Sequence, residues 1–298
     1  NLPQVFLDKY RLLGRAKATE AMHFPKDLAE YKQALRRIKF EELFYFQMNL
    51  QALKADNKSE ANGLMIAYDE QKVADKIASL PFDLTGGQKR SLSDILSDMR
   101  SGGHMNRLLQ GDVGSGKTVV ASLAMYAAYT AGYQSALMVP TEILAEQHFE
   151  SLMQLFPDLS IAILTSGMKA ANKKAALAAI ADGSVDMIVG THALIQDTVS
   201  YHRLGFVITD EQHRFGVNQR RIFREKGENP DVLMMTATPI PRTLAITAFG
   251  EMDVSIIDEL PAGRKPIITR WVKHEQLDIV LDWVKKELPK GAQAYVIS

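Results

Sequence analysis

The hydrophobic positions of the chain change their spacing near residue 81. Between residues 27 and 80 they recur at helical intervals, as at Leu28, Tyr31, Leu35 and Ile38. A polar break follows at 57–63, and a further helix from about Gln71 ends before a proline, since proline disfavours helix in the residue before it. This part of the sequence predicts an all-helical lead-in.

From Thr85 onward, short apolar runs alternate with longer helical runs. The apolar runs predict strands at 107–110, 136–139, 161–164, 187–189, 206–209 and 232–235. Strands that alternate with helices predict an α/β fold, with a parallel sheet covered by helices on both faces. Ligands of such sheets bind at the carboxyl ends of the strands.

A segment rich in proline and glycine begins near residue 259. The pattern after it predicts a strand at 267–272, a helix at 275–288 and a strand at 293–297, which together would open a second α/β domain. We therefore predict domains at 1–80, 81–260 and 261–298. The absence of an initiator Met and an end inside an apolar run indicate a piece of a longer protein.

Composition excludes several classes of site. Lys and Arg total 35, as do Asp and Glu, so contact with nucleic acid must come from local placement of charge. The chain has no cysteine, which excludes disulfides, thiolate zinc sites and cysteine nucleophiles and fits a cytoplasmic location. Polar residues interrupt the most apolar stretch, 121–140, so we expect no membrane span.

One motif carries chemistry directly, because it matches the phosphate-loop pattern G-x-x-x-x-G-K-[ST] and lies between a predicted strand and a predicted helix. Its residues are Gly111, Asp112, Val113, Gly114, Ser115, Gly116, Lys117 and Thr118. The glycines let main-chain N–H groups surround an oxyanion, Lys117 supplies charge to the β- and γ-phosphates, and Thr118 can hold Mg²⁺. The motif predicts an ATP-binding enzyme.

Two acids follow the strand at 206–209. Asp210 is placed to hold Mg²⁺, and Glu211 to orient and deprotonate the attacking water, as phosphoryl transfer requires. The strand at 232–235 ends near Thr236 and Thr238, whose hydroxyls could sense the γ-phosphate. The alternative is that these hydroxyls bond only to the local backbone, which is common in turns.

Residues upstream of the phosphate loop predict a base-binding site. The amide of Gln88 carries the donor and the acceptor that match the exposed edge of adenine, and Phe82 can stack on the base. Alternatively, Gln88 is only a residue in the first turn of a helix.

Seven segments in this order resemble a superfamily 2 helicase motor: 84–88, 111–118, 139–142, 165–167, 190–192, 210–213 and 236–239. Segments 210–217 and 236–244 resemble the RecG family of ATP-dependent branched-DNA helicases in particular. Segments 23–25 and 40–43 resemble the helical linker that precedes the motor in that family. The strong resemblance covers about residues 84–269.

The resemblance implies a RecA-like P-loop NTPase domain after a helical linker, followed by the truncated start of a second RecA-like domain. It implies ATP and Mg²⁺ as cofactors. It also implies that the protein acts as a monomer in recombination and repair and binds double-stranded and branched DNA without sequence preference. Coupling of hydrolysis to movement would fall to Gln212, His213, Thr236 and Thr238. The residues implied to face DNA are Pro140, Thr141, Glu142, Thr165, Ser166, Gly167, Gly190, Thr191 and His192.

The chain also departs from the family pattern. Members carry an arginine in the second motor domain that reaches the γ-phosphate, and the sequence stops before it; a DNA-binding wedge domain would precede the lead-in. We therefore expect the isolated chain to bind ATP but to hydrolyse it poorly. Two alternatives remain: a transcription–repair coupling translocase, whose acid motif has Glu and Gln at positions 212 and 213, and a slow ATP-gated clamp without motor activity.

Overall fold

The computed structural model describes residues 2–59, 63–210, 222–223, 226–227, 229–238, 252–259 and 269–296. Contacts divide the chain into two compact units, Asn1–Pro261 and Ala262–Ser298. The predicted domain boundaries at 80 and 260 remain predictions.

The lead-in is helical, as its spacing predicts. It contains α1 (Gln4–Tyr10), α2 (Arg15–His23), α3 (Leu28–Ser59) and α4 (Glu70–Ala78). Helix α3 continues past the point where the polar break was predicted to begin, and α1 and α2 were not predicted. Helix α3 thus includes the polar residues 57–59; sequence patterns locate helix boundaries poorly.

Seven parallel strands form one sheet in the order β3-β4-β2-β5-β6-β1-β7, which confirms the predicted α/β class. Their bounds are β1 Asn106–Gly111, β2 Gln134–Met138, β3 Ile161–Leu164, β4 Met187–Gly190, β5 Leu204–Asp210, β6 Asp231–Thr236 and β7 Asp253–Ile257. The six strands predicted between residues 107 and 235 all form. The edge strand β7 was not predicted.

Helices cover the sheet: α5 (Gly86–Arg100), α6 (Lys117–Thr130), α7 (Glu142–Leu155) and α8 (Ala170–Asp182), with a short 3₁₀ helix at His192–Ile195. Most of α6 is buried, which suits a helix that is apolar nearly all round. Among the described residues, no helix combines the length and the apolar character needed to cross a bilayer.

The edge of the sheet where the strands begin carries a buried titratable group. Asp231 is fully buried at the start of β6, and its Oδ1 accepts from the Met105 N–H over 3.0 Å. Burial, together with the negative charge of Asp98, raises the pKa of Asp231 to about 8, although the hydrogen bond from Met105 lowers it. Nearby, Arg107 Nε donates to Asp98 Oδ2 over 2.6 Å.

The second unit contains α9 (Leu277–Glu287) between 3₁₀ turns at His274–Gln276 and Leu288–Lys290, close to the predicted helix. The two predicted strands around it are wrong in their described parts, because residues 269–272 and 293–296 have no regular structure. A strand requires a neighbour for its backbone groups and a surface for its side chains. Here Trp271 and Tyr295 are each 85% exposed.

Candidate functional site at the carboxyl edge of the sheet

The phosphate-loop motif forms a turn between β1 and α6. Gly114 and Gly116 have φ angles of 78° and 89°, in the left-handed region that favours glycine. The Ser115 N–H donates to the Asp112 carbonyl over 3.0 Å and closes the turn. A Cβ at Gly116 would overlap the side-chain amide of Gln88, so this position requires glycine for space as well as for backbone angle.

Lys117 is the first residue of α6 and its side chain is 9% exposed. Its Nζ donates to the carbonyl oxygens of Gly111 at 2.5 Å and Asp112 at 2.9 Å. The ammonium group therefore lies across the mouth of the loop. A side chain held there can bring its charge to a phosphate seated on the same loop.

The polar groups of the loop suit the binding of a triphosphate. Helix α6 begins without a side-chain cap at Gly116, and the Ser115 hydroxyl is buried with no hydrogen-bond partner among the described residues. Uncapped helix N-termini bind anions through the first main-chain N–H groups and the helix dipole. ATP phosphates would be held by this loop and by Lys117, and Mg²⁺ by Thr118 with Asp210.

Gln88 is buried beside the loop. Its Oε1 accepts from the Thr85 N–H at 2.9 Å, while Thr85 Oγ1 accepts from the Gln88 N–H, so the pair forms a capping box at the start of α5. Its Nε2 donates to the Ser115 carbonyl over 2.8 Å. Gln88 is thus both a helix-capping residue and a link to the phosphate loop. Phe82, earlier in the chain, has an exposed side chain.

Asp210 is the last residue of β5 and is partly buried. Strand β6 lies between β5 and β1, with Asp210 opposite Met235 and Gln110 opposite Thr236. The ends of these three strands therefore bring Asp210, Thr236 and the phosphate loop to one edge. Glu211, Gln212 and His213 lie outside the described residues.

Thr236 is buried, and its Oγ1 accepts from the Thr238 N–H over 3.1 Å. This is the local backbone bond that the sequence left open as the alternative to phosphate sensing. Thr238 is exposed.

The loops predicted to face DNA follow β2, β4 and β3, which are neighbours in the sheet. Thr141 caps α7 by accepting from the Leu144 N–H, and Pro140 precedes it. Ser166, Gly167 and His192 are exposed, whereas Thr165 and Thr191 are only 6% and 7% exposed, and Gly190 ends β4 against the Leu164 carbonyl. The buried threonines sit beneath the surface that the exposed members present.

Glu142 joins two of these loops. Its Oε1 accepts from the Gly167 N–H over 2.7 Å, and a Cβ at Gly167 would come within 2.7 Å of Oε2. A carboxylate only accepts hydrogen bonds and repels phosphate, so this arrangement suits a brace between the loops better than a phosphate contact.

Two contacts at this edge had no sequence signal. His148 on α7 places Nε2 3.4 Å from Asp210 Oδ2. Arg90 on α5 pairs with Asp258 at 3.0 Å and Glu259 at 3.5 Å, just beyond β7. A single histidine or arginine on a helix gives no pattern, so only the fold could reveal these pairs.

The fold and the loop together define a P-loop nucleotide-binding α/β domain. A family model described as DEAD/DEAH box helicase matches residues 85–246, more than half of the chain. The chain therefore belongs to the DEAD/DEAH box helicase family.

Individual relatives are more specific. The chain is 70% identical over 298 residues to the ATP-dependent DNA helicase RecG of Streptococcus pneumoniae, covering 100% of the chain and 44% of that protein. RecG of Bacillus subtilis is 55% identical, with 99% and 44% covered. The chain thus spans less than half the length of these relatives. Such similarity does not favour the translocase or clamp alternatives.

A solved structure of RecG bound to a three-way DNA junction superposes with a TM-score of 0.83 at 40% identity. The match covers 100% of the chain and 40% of that structure's chain. The predicted resemblance to RecG is confirmed at the level of sequence and fold.

Proposed function

We propose that this chain is the ATP-binding motor segment of a DNA helicase that remodels branched DNA, such as replication forks and Holliday junctions, in recombination and repair. The observation that carries the proposal is the placement of the phosphate loop, Asp210 and Thr236 at adjacent strand ends, beside the loops that follow β2, β4 and β3. Similarity to RecG over the whole chain supports the choice of DNA.

In the proposed site, Gln88 and Phe82 bind adenine, the phosphate loop with Lys117 binds the phosphates, and Thr118 with Asp210 holds Mg²⁺. Glu211 activates water, a role that rests on the sequence motif alone. These roles follow the chemistry of each group and its place along the strand ends.

DNA contact in this proposal is independent of sequence. The exposed members of the loops, among them Thr141, Ser166 and His192, offer hydroxyl and imidazole groups, which suit phosphate oxygens. We propose that the protein acts as a monomer in the cytoplasm. Hydrolysis of ATP at the ends of β1, β5 and β6 then drives movement of DNA over the loops that follow β2, β3 and β4.

The test is ATP turnover by the complete protein on a four-way junction, a fork and a linear duplex at the same salt concentration, because phosphate contacts make affinity salt-dependent. The proposal expects stronger stimulation by the junction and the fork than by the duplex. Equal stimulation by all three would remove the branched-DNA assignment and leave an ATP-driven translocase. An absence of DNA stimulation would favour the clamp.

A further inference from the structure

His148 is a polar residue on the inner side of α7. Ala145 and Leu152, three residues before it and four after it, are buried, and the adjacent Phe149 packs on the main core. Residues with this spacing share one face of a helix. The His148 side chain is only 12% exposed, and its Nε2 lies 3.4 Å from Oδ2 of Asp210, which is 17% exposed.

The contact crosses between two elements that the sheet fixes. Helix α7 follows β2, and Asp210 ends β5; these strands are paired, with Met138 opposite Thr209. A largely buried imidazole on an inward face carries a desolvation cost unless it has a polar partner, and among the described residues Asp210 supplies one.

We infer that His148 is a positioning residue for the metal-binding carboxylate: its Nε2–H fixes one oxygen of Asp210 so that the other faces Mg²⁺ bound with the nucleotide. The inference rests on the proposed role of Asp210. Groups that hold a ligating carboxylate in place govern metal affinity because they restrict its rotation.

The same helix connects this contact with the proposed DNA surface. Its N-terminal end carries the Thr141 cap and the Glu142 brace to Gly167, and His148 follows less than two turns later. One rigid element therefore carries both a DNA-facing end and a group that touches the metal-binding acid.

The test uses equilibrium binding in the complete protein, with no turnover involved. A fluorescent, non-hydrolysable ATP analogue is titrated at a series of Mg²⁺ concentrations, and the Mg²⁺ concentration for half-maximal binding is compared between variants. His148→Leu keeps the bulk and loses the donor, His148→Asn stays polar but is too short, and His148→Gln keeps a donor of similar reach. Glu150→Ala, an exposed position on the same helix, is the control.

We expect the Leu and Asn variants to require about tenfold more Mg²⁺, and the Gln variant and the control to stay within about threefold of wild type. Binding of the analogue without Mg²⁺ should be unchanged in all four. If Leu and Asn match wild type while Asp210→Asn shifts the Mg²⁺ requirement, the positioning role is wrong and the proposed function stands. If wild type shows no Mg²⁺-dependent binding, the proposed function itself fails.

Discussion

The side-chain amide of Gln88 donates a hydrogen bond of 2.8 Å to the main-chain oxygen of Ser115. The bond ties the first turn of α5 to the phosphate loop, and the glycine at 116 leaves room for it. The same side chain also caps α5 through Thr85, so the start of this helix and the phosphate loop share one anchor. Gln88, predicted to bind adenine or to be only a residue in the first turn of a helix, therefore also supports the phosphate loop.

Replacing Gln88 by Ala should weaken both stability and nucleotide binding. The Ser115 carbonyl and the Thr85 N–H would lose buried partners, which costs about 1–3 kcal/mol for each group left unsatisfied. Urea unfolding and nucleotide titration of Gln88→Ala measure the two effects. Lys89→Ala, an exposed neighbour on the same helix, is the control and should change neither. Unchanged unfolding in Gln88→Ala would contradict the anchoring role.

Glu142→Ala should reduce the stimulation of ATP turnover by DNA, because the brace between α7 and Gly167 is lost. Glu142→Gln keeps the accepting Oε1 and should retain most of the stimulation. We expect a loss of about fivefold for Ala, the size of one hydrogen bond of about 1 kcal/mol.

Glu146→Ala is the matched control for Glu142, since it removes the same charge from an exposed position of the same helix. If Glu146→Ala lowers DNA stimulation as much as Glu142→Ala, charge rather than the brace is responsible. If Glu142→Gln is as defective as Ala, the hydrogen bond to Gly167 is not what matters.

Asp231 should make stability depend on pH. Its pKa is about 8 in the folded protein, above its ordinary value of 3.8, so the folded chain holds a proton that the unfolded chain has released. This contribution to the free energy of unfolding is fully present below about pH 3.8 and is lost as pH rises through about 8. The slope from this one group approaches about 1.4 kcal/mol per pH unit within that window.

Urea unfolding of wild type and Asp231→Asn between pH 5 and pH 8.5 or so checks this, because Asn stays neutral and keeps an acceptor for Met105. The variant should gain stability relative to wild type as pH rises. Asp158→Asn, at an exposed position, should run parallel to wild type. A constant difference between wild type and Asp231→Asn at every pH would show that Asp231 carries no such proton.

Much of the fold could be predicted because its signals are local. The phosphate loop combines glycines, a lysine and a threonine in one continuous segment, and most of the buried strands contain a short apolar run. The location of the site at the strand ends then follows from the rule that parallel sheets bind ligands at their carboxyl edge. Asp210 and Thr236 were placed correctly on that basis.

The remaining features depend on contacts between distant segments. Strand β7 is a half-buried edge strand, and its short Asp-Val-Ser-Ile-Ile run has no clear period. The predicted strands beside α9 had the right composition, but composition cannot supply a neighbouring strand. His148 and the second role of Gln88 depend on side chains meeting across the sheet edge, and no spacing within one element encodes that.

The most direct test of the account compares nucleotide affinity and single-turnover hydrolysis in the complete protein for wild type, Lys117→Ala and Glu211→Gln. The account predicts that Lys117→Ala loses affinity, whereas Glu211→Gln binds ATP about as tightly as wild type but hydrolyses it at least about 100-fold more slowly, since it lacks the general base. Loss of affinity in Glu211→Gln equal to that in Lys117→Ala, or rapid hydrolysis by either variant, would contradict it.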